Sequence, residues 1–226
     1  MCGRFVRARS EETYSDLYEV GDISGLLPSY NVAPTNPVLA VRMENEKRTA
    51  VILRWGLIPS WAKDKKTPFI NARADTLFDK PAFRAAAKRR RCLIVADGYF
   101  EWKALGPKTK QPYYYRLADG KPIAFAGVWE TWLDKATPGS EPIQSCAIVT
   151  TDANELASQI HDRMPVILEG PAADAWLDPA VEDARSLAEL LRPFRADALT
   201  VFPVSMRVNK AGEQGADLIE PIDLQT

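Results

Sequence analysis

Hydrophobic positions along this chain recur mostly in short, β-branched-rich runs bounded by charged or Pro/Gly-containing stretches, a pattern that predicts strands more often than helices. Residues 38–41 and 50–55 are two such runs, separated by Glu44-Asn45-Glu46-Lys47, and they predict a hairpin. Further strands are predicted at 92–102, 112–118, 122–130, 145–151, 164–169 and 200–205. Helices are predicted at 11–19, 80–90, 153–159, 171–177 and 180–191, the last carrying Leu187, Leu190 and Leu191 at helical spacing. Ser10 suits the cap of the first, with Glu11 and Glu12 favourable in its first turn. Asp79 suits the cap of the second, with Pro81 in its first turn and Lys88, Arg89 and Arg90 at its carboxyl end.

The elements mix without βαβ alternation, and no Gly-rich phosphate loop occurs. That predicts an α+β fold with a largely antiparallel sheet. The Pro- and Lys-containing stretches 59–68 and 104–112 are expected as surface connections, and no internal repeat appears. The 226 residues fit a single domain spanning 1–226, long enough to bury a core without staples. No run of about 18 apolar residues suggests a membrane span. Arg4, Arg7 and Arg9 replace the apolar stretch of a signal peptide, so a cytoplasmic protein is expected.

Charge changes the picture. The net formal charge of −1 argues at first against a nucleic-acid partner. Residues 1–121, however, hold 22 Lys and Arg against 13 Asp and Glu, whereas residues 122–226 hold 7 against 17. Such a split predicts a basic face and an acidic face, or else a solvated surface that is merely uneven along the chain. The run 88–91 reads as a solvated helix end.

There are three cysteines and one histidine, and no C-x-x-C pair, so no structural zinc site is expected; no other metal and no organic cofactor is implied. Cys92 and Cys146 sit in apolar runs as small core hydrophobes, and a reducing compartment is the default. Cys2 differs. A small residue after the initiator Met permits Met1 removal, and an N-terminal Cys carries an amine and a thiol on adjacent carbons. The amine can attack an aldehyde to give an imine, and the thiol can close onto the imine carbon as a thiazolidine. The alternative is a frayed chain end. His161, beside Asp162 and Arg163, is either a proton-transfer group or a structural residue. Glu101, flanked by Phe100 and Trp102, is either an acid–base carboxyl raised by apolar surroundings or a strand-edge side chain facing water. Asn71 and Arg73 share one face of a short extended segment, where they can orient a sugar and a phosphate or brace a sheet. Trp55 and Trp61 are core residues or stacking platforms for unpaired bases, near Arg54, Lys63, Lys65 and Lys66.

Seven segments in order carry a resemblance: Met1-Cys2-Gly3-Arg4-Phe5, Tyr30-Asn31-Val32-Ala33-Pro34, residues 54–61, Asn71-Ala72-Arg73, residues 97–102, His161-Asp162-Arg163-Met164-Pro165, and Pro203-Val204-Ser205 through Leu218-Ile219-Glu220-Pro221. Together they resemble the SOS response-associated peptidase (SRAP) family of abasic-site processing proteins, from residue 2 to about 222. Residues 130–143 and 178–199 match no motif. The fold expected is a single α+β domain with a strongly curved, largely antiparallel, barrel-like sheet flanked by helices.

The resemblance implies a partner, single-stranded DNA containing an abasic site, and a covalent thiazolidine cross-link through Cys2 that shields the lesion. It implies that Asn71 positions the terminal residue and the sugar, Glu101 transfers protons, and His161 protonates the sugar oxygen during ring opening. Arg4 and Arg73 would hold phosphates, Arg54 and Arg163 would join the DNA-binding surface, and Trp55 and Trp61 would support flanking bases. A DNA-damage role in the SOS response, an associated lyase activity, and a peptidase activity limited to Met1 removal or cross-link release also follow. So do a monomeric state and association with the nucleoid through DNA. Two other readings compete. An N-terminal-nucleophile amidohydrolase of the glutaminase kind also begins Cys-Gly, but its Asn-Gly motif is missing here. A non-enzymatic single-stranded DNA-binding module would leave Cys2, Glu101 and His161 unexplained.

Overall fold

A computed structural model describes residues 2–107, 109–137 and 139–224. In chain order, β1 (Arg4–Arg7) precedes α1 (Glu11–Tyr18), followed by β2 (Ser29–Val32), β3 (Pro37–Glu44), β4 (Lys47–Trp55) and β5 (Asn71–Arg73). Then come α2 (Arg84–Arg89), β6 (Arg91–Ala96), β7 (Gly98–Ala104), β8 (Lys110–Leu117), β9 (Ile123–Trp132) and β10 (Ile143–Asp152). The chain continues through β11 (Arg163–Pro165), α3 (Gly170–Leu177), α4 (Ala184–Glu189) and β12 (Leu199–Pro203). The α+β expectation holds: among the described residues twelve strands form two sheets, with few helices.

One sheet has the order β12-β8-β7-β1-β2 and is antiparallel throughout. The other runs β10-β4-β3-β6-β9, and β9 pairs with β10 again, closing the ring. Within that ring only β10–β4 is parallel. Closure removes the exposed edges that an open sheet of this size would leave. Side chains alternate along the ring strands: Cys92, Ile94 and Ala96 join Phe5, Tyr99 and Tyr115 of the other sheet, while Leu93 and Val95 pack with Tyr14, Trp176 and Leu187 of the helices. Burial on both faces explains why β6 reads as an unbroken apolar run.

The predicted hairpin is β3–β4, paired from Pro37↔Arg54 to Glu44↔Lys47. Its turn residues Asn45 and Glu46 have φ of 49° and 62°, the left-handed pair that matches strand twist in a tight hairpin. Ser10 caps α1 as expected, accepting from Thr13 N. The second helix is shorter than predicted and lacks its proposed cap. Phe83 stands at its start with no side-chain bond, because residues 76–83 wind as successive turns, Lys80 N bonding Thr76 O at 3.0 Å. The last helix also contracts, to six residues capped by Asp183, and 153–159 holds only a 3₁₀ turn at Ala157–Gln159. Arg91 departs from the solvated reading of its run. It is buried, and donates to the carbonyls of Ala87 in α2, Trp176 in the last turn of α3, and Asp178 and Val181 beyond it.

The predicted strand 92–102 is two strands in different sheets, broken at Asp97. The Asp97 carboxylate accepts from Ala8 N at 2.6 Å, Arg9 N at 3.3 Å and the Tyr14 hydroxyl at 2.8 Å, while its own N–H donates to Val6 O at 2.7 Å. This clamp holds the end of β1 at the bend. At Gly98 an added Cβ would lie 2.5 Å from the Tyr114 hydroxyl and closer still to the Tyr115 carbonyl oxygen. Gly98→Ala is therefore expected to destabilise the protein by about 3 kcal/mol, read as a lower midpoint in urea unfolding, since a backbone oxygen cannot rotate away. An unchanged midpoint would show that the bend relaxes freely.

Candidate active site

β1 lies antiparallel to β7 in the register Arg4↔Phe100 and Phe5↔Tyr99, which carries the residues before Arg4 alongside those after Phe100. Cys2 and Glu101 thereby meet at one end of the small sheet. β10 supplies the rest. It pairs in parallel with β5, Ile148 opposite Asn71, and antiparallel with β11, Asp152 opposite Arg163, so Asn71 and the loop bearing His161 arrive from its two edges. Asn71 Nδ2 donates to Cys2 O at 2.9 Å. Glu101 and His161 line one cavity of about 580 Å³ together with Arg4, Trp102, Lys110 and Asn209.

Burial sets the electrostatics. Glu101 is only 3% exposed, and desolvation pushes its carboxyl above the usual range, with His161 pulling part of the way back. Cys2 is fully buried, so its thiol is raised far above an ordinary cysteine, first by desolvation and then by the Glu101 carboxylate. The Asn71 Oδ1 is buried without a hydrogen-bond partner, an acceptor held ready beside the chain start. Tyr99 and Tyr115, stacked at 4.7 Å, add two further buried hydroxyls without partners nearby in the same core cluster. Among the described residues no group of three or more His, Cys, Asp or Glu side chains is arranged to hold a metal ion, and no helix is long and apolar enough to cross a membrane.

The basic and aromatic residues divide. Trp61 is 63% exposed, as a stacking platform requires. Trp55 is corrected to a core residue: it is fully buried against Phe5 at 5.2 Å and donates Nε1–H to Ile70 O at 2.8 Å, leaving no face for a base. Arg73 is exposed and forked onto Asp75, with Nη2 2.6 Å from Oδ2. Arg54 is half-buried and reaches Gly56 O at 3.4 Å. Arg163 is buried, donating to Thr150 O at 2.6 Å and Asp152 Oδ1 at 3.2 Å, so its guanidinium braces β10 against β11. Arg4 donates to Asn31 Oδ1 at 3.0 Å and to Val208 O at 2.8 Å, so it too is a brace as well as a cavity wall.

Those last contacts bring in residues that the sequence reading did not single out. Asn31 Nδ2 donates to Lys210 O at 2.9 Å and Glu213 O at 3.2 Å, and Trp102 Nε1 donates to Asn209 Oδ1 at 2.6 Å. The segment after β12 is thus clasped over the chain start and completes the cavity. The sequence signal for it was the motif segment around Asn31 and the closing one from Pro203-Val204-Ser205 through Leu218-Ile219-Glu220-Pro221.

A buried Cys2 held through its carbonyl by Asn71, close to a buried carboxyl that shares a cavity with a histidine, sits at the end of the smaller sheet of a one-domain α+β protein. The model of the SOS response associated peptidase (SRAP) family matches residues 1–211, and the chain belongs to that family. It is 42% identical over 228 residues to abasic site processing protein YoqW of Bacillus subtilis (strain 168), covering 97% of this chain and 99% of that protein. It is 33% identical to abasic site processing protein YedK of Escherichia coli (strain K12), covering 98% and 100%. Abasic site processing protein HMCES of Gallus gallus is 34% identical, covering 87% of this chain and 67% of that protein. Among solved structures, a protein from Bacteroides thetaiotaomicron superposes with a TM-score of 0.87 at 27% identity, covering 98% of this chain and all of the other.

Proposed function

We propose that this protein captures abasic sites in single-stranded DNA as a covalent thiazolidine through Cys2 once Met1 has been removed. The observation that carries the reading is the clamp itself: Asn71 grips the Cys2 carbonyl at 2.9 Å, close to a buried Glu101 whose carboxyl is raised and which shares a cavity with His161. The relatives named above, called abasic site processing proteins, supply the substrate class. The order of steps follows from the burial. A desolvated thiol is a poor first nucleophile, so the α-amine attacks the C1′ aldehyde and the carbinolamine loses water to give an imine. The thiol then adds to the imine carbon, its proton passing to the imine nitrogen, and the sum is loss of one water.

In this reading Asn71 places the amine, Glu101 carries protons to and from the carbinolamine oxygen and nitrogen, and His161 protonates the sugar ring oxygen as the ring opens. Exposed Arg73 and Trp61 contact the flanking phosphates and bases. The imine also acidifies the sugar C2′, which makes β-elimination of the 3′ phosphate, a lyase activity, a side path of the same intermediate. The test mixes purified protein with single-stranded DNA carrying one abasic site and resolves the products on a denaturing gel. A protease-sensitive retarded band is expected, and its absence sinks the proposal. His161→Ala is expected to form that band about 100-fold more slowly with DNA binding retained; an unchanged time course would make His161 structural.

A further inference from the structure

Asn209 ends the short 3₁₀ turn Met206–Asn209 and stands in the wall of the cavity that holds Glu101 and His161. Its backbone is pinned from the opposite end of the chain. Arg4 Nη1 donates to Val208 O at 2.8 Å and Nη2 to Asn209 O at 3.4 Å, while Asn31 Nδ2 donates to Lys210 O at 2.9 Å. The side chain is then fixed by the bond from Trp102 Nε1 to its Oδ1 at 2.6 Å.

That bond also decides which way round the amide sits. An indole N–H only donates, so it meets the oxygen of a carboxamide, and the NH₂ takes the other edge. There Nδ2 has the Met206 sulfur at 3.9 Å, a weak acceptor. Asn209 and Met206 are both exposed, so the donor edge of the amide is left to whatever enters the cavity. The neighbouring wall favours an anion there, because Arg4 and Lys110 supply positive charge and the carboxylate among the lining residues, Glu101, is buried.

We propose that Asn209 is a DNA-binding residue whose Nδ2 donates to a backbone phosphate oxygen beside the abasic sugar, and that Trp102 is the positioning residue that aims it. The inference rests on the abasic-site reading for its ligand. A phosphate held at Asn209 leaves the attached sugar in the same cavity as Glu101 and His161. A neutral donor of this kind fixes the register of the strand, whereas the cations beside it supply the salt-sensitive attraction.

Fluorescence anisotropy of the full-length protein with single-stranded DNA carrying a tetrahydrofuran abasic analogue reads binding alone, since that sugar has no aldehyde to cross-link. Asn209→Ala is expected to raise Kd about tenfold, the effect of losing one hydrogen bond to a charged acceptor. The slope of log Kd against log salt should stay as in the wild type, because no cation is removed and Arg4 holds backbone carbonyls rather than this side chain. An unchanged Kd overturns the proposal, and so does a flattened slope, which would trace the loss to a displaced Arg4. Asn209→Asp keeps an oxygen for Trp102 but has no donor, so it should weaken binding at least as much; wild-type affinity in this variant also overturns the proposal. Trp102→Phe should weaken binding in the wild-type background and add nothing to Asn209→Ala, whereas additive losses would overturn the positioning role. Failure of the wild-type protein to cross-link true abasic DNA would instead sink the abasic-site reading, with the anisotropy measurements still deciding this one.

Discussion

Cys2→Ala is expected to abolish the heat-stable adduct with abasic DNA while preserving one that borohydride can trap. Alanine leaves the α-amine where Asn71 holds it, since the bond is to the residue 2 carbonyl rather than to its side chain. The imine therefore still forms and can be reduced. What alanine removes is the sulfur that closes the ring, so without reductant the imine hydrolyses. Denaturing gels run with and without borohydride separate the two outcomes. A heat-stable band at the wild-type level would contradict ring closure, and loss of both bands would mean that the amine had been displaced. An extra residue inserted ahead of Cys2 is expected to lose both, because it moves the amine away from the clamp. Thermal melting controls for the small cavity that a missing buried sulfur leaves, worth about 1 kcal/mol.

The second large effect is expected from Glu101→Gln, which should slow cross-linking by about 100-fold and at the same time stabilise the fold at neutral pH. The rate loss follows from removing a proton carrier of the usual general acid–base strength. The stability gain follows from linkage. Glu101's carboxyl is raised in the folded protein by burial, so between its unfolded and folded values the native state holds more protons than the unfolded one. Stability then falls as pH rises through that window, and the full deficit is present above it. Glutamine removes the charge and with it the deficit. Urea unfolding of both proteins at pH 4 and pH 7 checks this, with a larger gain expected at pH 7. A glutamine variant that is slower but less stable at pH 7 would mean that the ionised carboxylate is a structural partner rather than a strained catalytic group.

The hairpin and the two packing cysteines were legible because each is written in a local pattern, as are the candidate chemistry-bearing residues. Alternation marks β3 and β4, Asn45-Glu46 sits at their turn, and a thiol beside an N-terminal amine is a property of one residue. Cys2, Asn71, Glu101 and His161 stood out by type and neighbourhood, and the fold places Asn71 and Glu101 in strands, with Cys2 just before β1 and His161 just before β11. Other features were hidden for a common reason. The apolar run 92–102 carries no mark of the bend at Asp97, which exists because Ala8, Arg9 and Tyr14 from another part of the chain converge on that carboxylate.

The sequence by itself determined the element types, the basic and acidic halves, and which side chains are able to make or move a covalent bond. Only the tertiary structure decided which cations and aromatics remain available. Trp55 and Trp61 are alike in sequence, yet one is sealed against Phe5 and the other is exposed. Arg73 stays at the surface, whereas Arg163 and Arg4 are bound to carbonyls of β10 and of the C-terminal segment. Periodicity and residue chemistry act over a few neighbouring positions. Burial and hydrogen-bond partners are set by contacts far apart along the chain, 204 residues between Arg4 and Val208, and only the folded chain brings those together.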